Sequence, residues 1–294
     1  MNWKKIAGIS LLFFAWALAL SFQQPTQKSR LRKIIIDPGH GGHDGGAPGR
    51  YSNEKDIALA VSLRLEELLS KQMPEVEVFL TRKSDIYHSV VTKAQIANQA
   101  KGDLFISIHC NSVDPYRRKE LVGYKTVKRK GKTRKVPEYR TVTIPNMAKG
   151  METYIWGAHK NEDKLVAMRE NQSMYLDSAS MQVLKDFDPD SPEQMQRISL
   201  MTRNYFERSA FLALAIEEEN RIRGGATRDA LQRQKGIWVL QAVAMPAVLV
   251  ETGYISNPEE EDYLNSADGQ TEIAQVIVNA LKRYKSKLDS KSIK

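Results

Sequence analysis

The chain has a single cysteine, Cys110, in 294 residues. No disulfide can form within it, so an exported form must hold together through its apolar core. No internal repeat or low-complexity tract occurs, which excludes a repeat array. The glycine-rich stretch from Pro38 to Gly49 lacks the Gly-Lys-Ser/Thr ending of a P-loop and the spacing of a dinucleotide fingerprint, which argues against a phosphate site. Hydrophobic residues make up 41% and charged residues 27% of the chain, a globular balance. The length suits one α/β domain with insertions.

The long apolar run that does occur is at the N-terminus. Lys4 and Lys5 precede an uncharged stretch from Ile6 to Leu20. A basic start followed by a short apolar core is the plan of a secretory signal. A full span needs about 20 apolar residues, so an uncleaved anchor is the alternative. Ala17-Leu18-Ala19 is the candidate cleavage site. Residues 1–22 are thus read as a signal peptide or anchor and 23–32 as a polar linker. The expected location is the periplasm or cell envelope, with membrane contact only through an uncleaved leader. No cysteine follows the leader to carry a lipid.

Three apolar runs end in metal-binding or acid–base residue types. Lys33–Asp37 leads into Pro38-Gly39-His40, Leu104–Ile108 ends in His109, and Ala247–Val250 ends in Glu251. Short apolar runs bounded by turns read as strands buried on both faces. Side by side and parallel, they would bring all three residues to one sheet edge, where open α/β sheets bind ligands. An ionised carboxylate is rarely buried without a partner, so Glu251 is expected where its strand leaves the sheet, facing a cleft. A structural Glu paired with Lys or Arg is the other reading.

A helix is predicted from about Glu54 to Gln72, with Ile57, Val61, Leu65 and Leu68 on one stripe and Asn53 as N-cap. Glu54 then either complements the helix dipole or turns toward the strand ends. In the second case His40, Glu54 and His109 form a two-His, one-carboxylate set, a known catalytic zinc arrangement with a position left for water. Asp37 either orients His40 or pins the turn. His43 and Asp44 carry no role assignable from sequence. Neighbouring strand residues point to opposite faces, so Cys110 is read as a small buried apolar residue rather than a ligand beside His109. Further elements are predicted at Val76–Thr81 (strand), Val90–Ala100 (helix), near Thr153 (strand), from Ser191 to about Arg221 (helix) and at Glu272–Lys287 (helix).

The segments IIIDPGHGGHDGGAPG, NEKDIALA, FLTRKSD, AQIANQAKGDLFISIHCNS, GMETYIWG and MPAVLVETGYISNPEEEDYL occur in this order between residues 33 and 285. As an ordered set they resemble the zinc-dependent N-acetylmuramoyl-L-alanine amidases of the bacterial cell wall. The resemblance implies an α/β fold, a twisted mixed sheet with helices on both faces, in one catalytic domain over residues 33–288. It implies zinc held by His40, Glu54 and His109, with Glu251 as the catalytic carboxylate. It also implies cleavage of the amide between N-acetylmuramic acid and L-alanine of peptidoglycan. The alternatives are a zinc peptidase acting within the stem peptide and a non-catalytic wall-binding adaptor. The sequence departs from the family's pattern at Lys93 and at Lys235-Gly236, where the family has Arg.

Two insertions interrupt this domain, at about 115–145 and 162–208. From Arg117 to Arg140 there are eleven Lys/Arg and two Glu, a net charge of +9 that equals the charge of the whole chain. The rest is therefore neutral overall. Val122, Tyr124, Val136 and Tyr139 flank a basic turn, so an exposed hairpin is predicted. It is either simply solvated or drawn to anionic wall polymer or lipid head groups; the export signal argues against nucleic acid. In the second insertion Glu170 is the candidate carboxylate for blocking the metal until an activator protein removes it, as related amidases are restrained. The alternative is that these acids face solvent. The protein is expected to be a monomer.

Overall fold

The computed structural model describes residues 30–129, 131–144, 146–156, 192–227, 233–234 and 237–290. The leader, nearly all of the linker, and the segment 157–191 with Glu170 and Ser191 lie outside the described residues.

A six-stranded sheet forms the centre, in the order β2 (Glu77–Leu80), β1 (Lys33–Pro38), β3 (Leu104–Asn111), β8 (Ala247–Tyr254), β6 (Glu152–Ile155), β7 (Arg233–Gln234). β2, β1, β3 and β8 run parallel, and β6 pairs antiparallel with β8, so the sheet is mixed. The parallel connections are made by helices, α1 (Glu54–Gln72) between β1 and β2 and α2 (Val90–Ala100) between β2 and β3. After β6 come α3 (Pro192–Ile222) and α4 (Trp238–Ala242), and α5 (Pro258–Asn265) and α6 (Ala267–Asp289) close the chain.

The apolar strands serve two cores because alternate residues face opposite sides of the sheet. Ile34, Ile36, Ile106, Ile108, Val248 and Val250 pack against α1, α3 and α6. Ile35, Phe105, Tyr154 and Leu249 pack against α2 and α4. Each fully buried aliphatic side chain of this kind contributes roughly 1.5–3 kcal/mol. On α1 the buried residues Ile57, Val61, Leu65 and Leu69 recur at helical spacing.

Element boundaries follow local chemistry. α6 begins five residues before the expected Glu272, because Ser266 caps it by accepting from the Gly269 amide. The run of three glutamates at 259–261 forms α5, capped by Asn257 and opened by Pro258. Asn53 precedes α1 as expected but makes no side-chain capping bond.

The basic insertion is a long antiparallel hairpin, β4 (Tyr116–Arg129) and β5 (Lys132–Ile144), forming a two-stranded sheet of its own. Among the described residues no other element packs against it appreciably. Its roots lie between β3 and β6.

Candidate metal centre

The paired strands fix where the candidate residues stand. Ile36 pairs with Ile106, and Ile106 with Val248, so β1, β3 and β8 end along one edge. His109 lies directly opposite Glu251, and Glu251 opposite Glu152 on β6. His40 follows β1 with φ 55°, a left-handed conformation that is uncommon outside glycine and marks a backbone held by its surroundings.

Glu54 reaches this edge from the first turn of α1 and is fully buried. One carboxylate oxygen accepts from the Cys110 amide at 3.0 Å and lies 2.9 Å from His109 Nδ1. The other accepts from the Ala47 amide at 2.8 Å and lies 3.2 Å from His40 Nε2. One ligand atom from each of His40, Glu54 and His109 falls within 4.8 Å of the others. The two imidazole rings meet edge to face, with centroids 5.0 Å apart. Two imidazoles and a carboxylate, all buried and converging, form a donor set that suits a divalent transition metal.

The glycines explain how the backbone comes so near. A Cβ on Gly39 would lie 2.6 Å from the His109 ring, and one on Gly46 would lie 2.7 Å from a Glu54 oxygen. Either substitution would fill the space the donors share.

Asp44 is the residue the sequence left without a role. Its carboxylate lies 2.9 Å from His40 Nδ1 and also accepts from the Gly46 amide. The acid thereby fixes which ring nitrogen of His40 faces the other donors. Burial alone would raise the Asp44 pKa, but the hydrogen bond and charge of His40 and the Gly46 amide hold it below the ordinary carboxylate value.

The expectation that Asp37 could orient His40 is not met. Strand alternation turns Asp37 toward α2, where it accepts from Thr81 Oγ1 at 2.5 Å and Ser107 Oγ at 2.8 Å and pairs with Lys93 Nζ at 3.3 Å. Burial opposes its ionisation, yet Lys93 and the two hydroxyls keep its pKa low. Lys93 is buried and donates to the Pro38 carbonyl at 2.6 Å. It braces the turn that carries His40.

Glu251 differs from its expected setting. β8 continues to Tyr254, and Glu251 sits within the paired region, fully buried rather than at a strand end facing a cleft. It is paired with β6 on one side and β3 on the other. Beside it Thr252 Oγ1 donates to the His109 carbonyl at 3.0 Å, tying the two strands just where ligand and acid face each other. Glu152 on its other side accepts from Tyr254 Oη at 2.7 Å, Asn111 Nδ2 at 3.1 Å and Tyr154 Oη. Cys110 is buried and its amide, not its thiol, serves the site. A narrow cavity lined by His40, Asp44, Lys93 and His109 opens on the α2 and α4 side.

Known proteins give a family to this arrangement. A family model described as N-acetylmuramoyl-L-alanine amidase matches residues 34–283. The N-acetylmuramoyl-L-alanine amidase AmiC of Escherichia coli is 29% identical over 269 residues, 90% of this chain and 56% of that protein. This chain therefore spans about half the length of that relative. A crystal structure of an N-acetylmuramoyl-L-alanine amidase from Clostridium difficile has the same fold, with a TM-score of 0.53, 24% identity, and coverage of 90% of this chain and 100% of that one. So has the CwlD amidase of Clostridioides difficile, in complex with the GerS lipoprotein, with a TM-score of 0.54, 22% identity, and coverage of 87% and 98%.

Proposed function

The chain belongs to the N-acetylmuramoyl-L-alanine amidase family, and from that premise we propose that it hydrolyses the amide joining N-acetylmuramic acid to L-alanine in peptidoglycan. The observation that carries the reading is the convergence of His40, Glu54 and His109 within 4.8 Å, with Glu251 opposite His109 across the strand pair. In this reading those three residues hold zinc, for which two imidazoles and a carboxylate are a known catalytic ligand set. A bound zinc supplies Lewis acidity, lowering the pKa of water to about 7 and polarising a carbonyl.

The protein's own groups do the rest. Glu251, buried beside the donors, accepts the proton of the attacking water on a carboxylate oxygen and returns it to the amide nitrogen as the C–N bond breaks. Asp44 holds the His40 ring through Nδ1, and the Ala47 and Cys110 amides fix both oxygens of Glu54. The products are a lactyl carboxylate on the glycan and a free L-alanine amine on the peptide. The enzyme works on the wall in the cell envelope. An activator protein fits this reading, since the structure of a CwlD relative is a complex with a lipoprotein. Glu170 remains the proposed occluding carboxylate, on a segment outside the described residues.

Digestion of purified sacculi, with mass analysis of the products, tests the proposal. Free peptides beginning in L-alanine with intact glycan strands are expected. Cuts between amino acids of the stem would make the enzyme a peptidase, and no release from either the wild type or Glu170→Ala, which removes the occluding carboxylate, would make it an adaptor. Glu251→Gln should lower turnover about 10²–10⁴-fold with metal content unchanged; near-normal turnover would remove Glu251 from the mechanism.

A further inference from the structure

The β4–β5 hairpin has two unlike faces, and the difference follows from its register. Leu121 pairs with Tyr139 and Tyr124 with Pro137, so these four residues share one face. Val122 is the extra residue at the bulge between them. Arg117, Lys119, Lys128 and Lys135 stand on the same face by the same pairing, two toward the root and two toward the tip. Both glutamates, Glu120 and Glu138, stand on the opposite face. There Glu120 pairs with Arg118 and Arg140. The acid-free face therefore has an apolar centre, cations at both ends and no internal neutralisation.

That face is exposed along its whole length. Leu121 is 50% exposed, Tyr124 65% and Tyr139 56%. A two-stranded hairpin with no third layer is marginal in water. Lysines along its edges would deter strand-to-strand aggregation, but exposed Leu and Tyr between them work against that purpose. Cations framing aliphatic and tyrosine side chains match an anionic bilayer surface. The apolar centre enters the interface, tyrosine rings sit at head-group level, and each cation near the surface adds attraction. An anionic wall polymer or nucleic acid would engage the charges but offers nothing to Leu121.

We propose that the Arg117–Lys135 face of this hairpin docks on anionic phospholipid, a membrane contact separate from any made by the leader.

A local reporter in the full chain tests this without interference from the leader. Cys110 is fully buried, so Leu121→Cys, placed on this face by its pairing with Tyr139, can carry an environment-sensitive fluorophore. Mixed phosphatidylcholine–phosphatidylglycerol vesicles should shift the emission to the blue, and pure phosphatidylcholine vesicles should not. Changing Arg117, Lys119, Lys128 and Lys135 together to Gln should weaken this partitioning by at least ~10-fold. Changing Arg118, Lys125, Lys132 and Arg134 on the opposite face removes the same charge and should weaken it much less. The proposal is overturned if anionic vesicles give no shift, if neutral vesicles give an equal one, or if both quadruple variants lose it alike. A shift produced by sacculi or DNA and not by vesicles would also overturn it, and would identify a polymer as the partner.

Discussion

The sheet edge and the hairpin are made from neighbouring stretches of one chain and obey opposite rules. At the edge, His40, Glu54, His109 and Glu251 are buried, and Glu54 and Glu251 are entirely inaccessible. On β4 and β5 nearly every residue is exposed, and the stretch carries a charge equal to that of the whole chain. Polar groups at the edge are held by two layers of core and by pairing on both sides; those of the hairpin are held by water. Burial thus fixes positions where chemistry needs them, and exposure leaves a charged surface free to meet something larger. If this division is real, damage to one region should leave the other almost untouched.

The largest effect should come from the donors. His109→Ala should lose both metal and activity, taking metal content by elemental analysis from one per chain toward zero, while hairpin-dependent behaviour stays the same. Because a metal that binds only the folded state stabilises it by mass action, the wild-type melting temperature should fall on chelation and that of the variant should not. Asp44→Asn should act through His40 and weaken metal affinity about 10–100-fold, measured by competition with a chromophoric chelator. Unchanged affinity would mean that Asp44 does not orient the ring.

A third effect belongs to the domain alone. Burial raises the Glu217 pKa from 4.5 to about 7, against the pull of Arg221 and the Thr153 amide. Between those values the folded state binds more protons than the unfolded state, so this residue's contribution to stability falls as pH rises from about 4.5 and levels off above about 7. Glu217→Gln should therefore stabilise the protein at pH 8 by about 1–3 kcal/mol and have little effect at pH 4, by denaturant unfolding at each pH. Equal effects at both pH values would contradict the burial argument. The smallest effect should come from excising residues 116–144 and joining the roots with a short Gly-Ser turn. The melting temperature should move by less than about 3 °C, equivalent to ~1 kcal/mol or less, and turnover of a soluble muropeptide should hold. A large loss of turnover would mean that the hairpin supports the site.

Much of this division is legible in the sequence because it rests on periodicity and charge. Apolar runs at β1, β3 and β8 and the basic run with its turn are local signals, and they locate three of the four candidate residues and the hairpin. Glu54 is harder, since an acid in a first helical turn is ordinary; the resemblance and not the pattern singles it out. Asp44 is illegible for a geometric reason. It lies four positions beyond His40, and only the tight Gly41–Asp44 pairing brings the carboxylate back to the ring. Asp37 misleads in the opposite sense, because closeness in sequence to His40 means little on a strand whose alternation sends it to Lys93 and Ser107. The continuation of pairing past Glu251 on its other side depends on β6, a partner brought in from nearly a hundred residues away.

The pairing of β3 with β8 gives the site an unusual kind of error tolerance. The spacing of His109 and Glu251 is set by a backbone ladder, in which strands lie ~4.8 Å apart whatever side chains flank them. A slip of β8 by one residue would turn Glu251 to the opposite face while His109 stayed in place, so misalignment is an all-or-none fault and not a gradual one. Substitutions that loosen the two cores should accordingly reduce how many molecules are folded, while each folded molecule keeps its full rate. Over generations such a site can accept drift in its packing without drift in its chemistry.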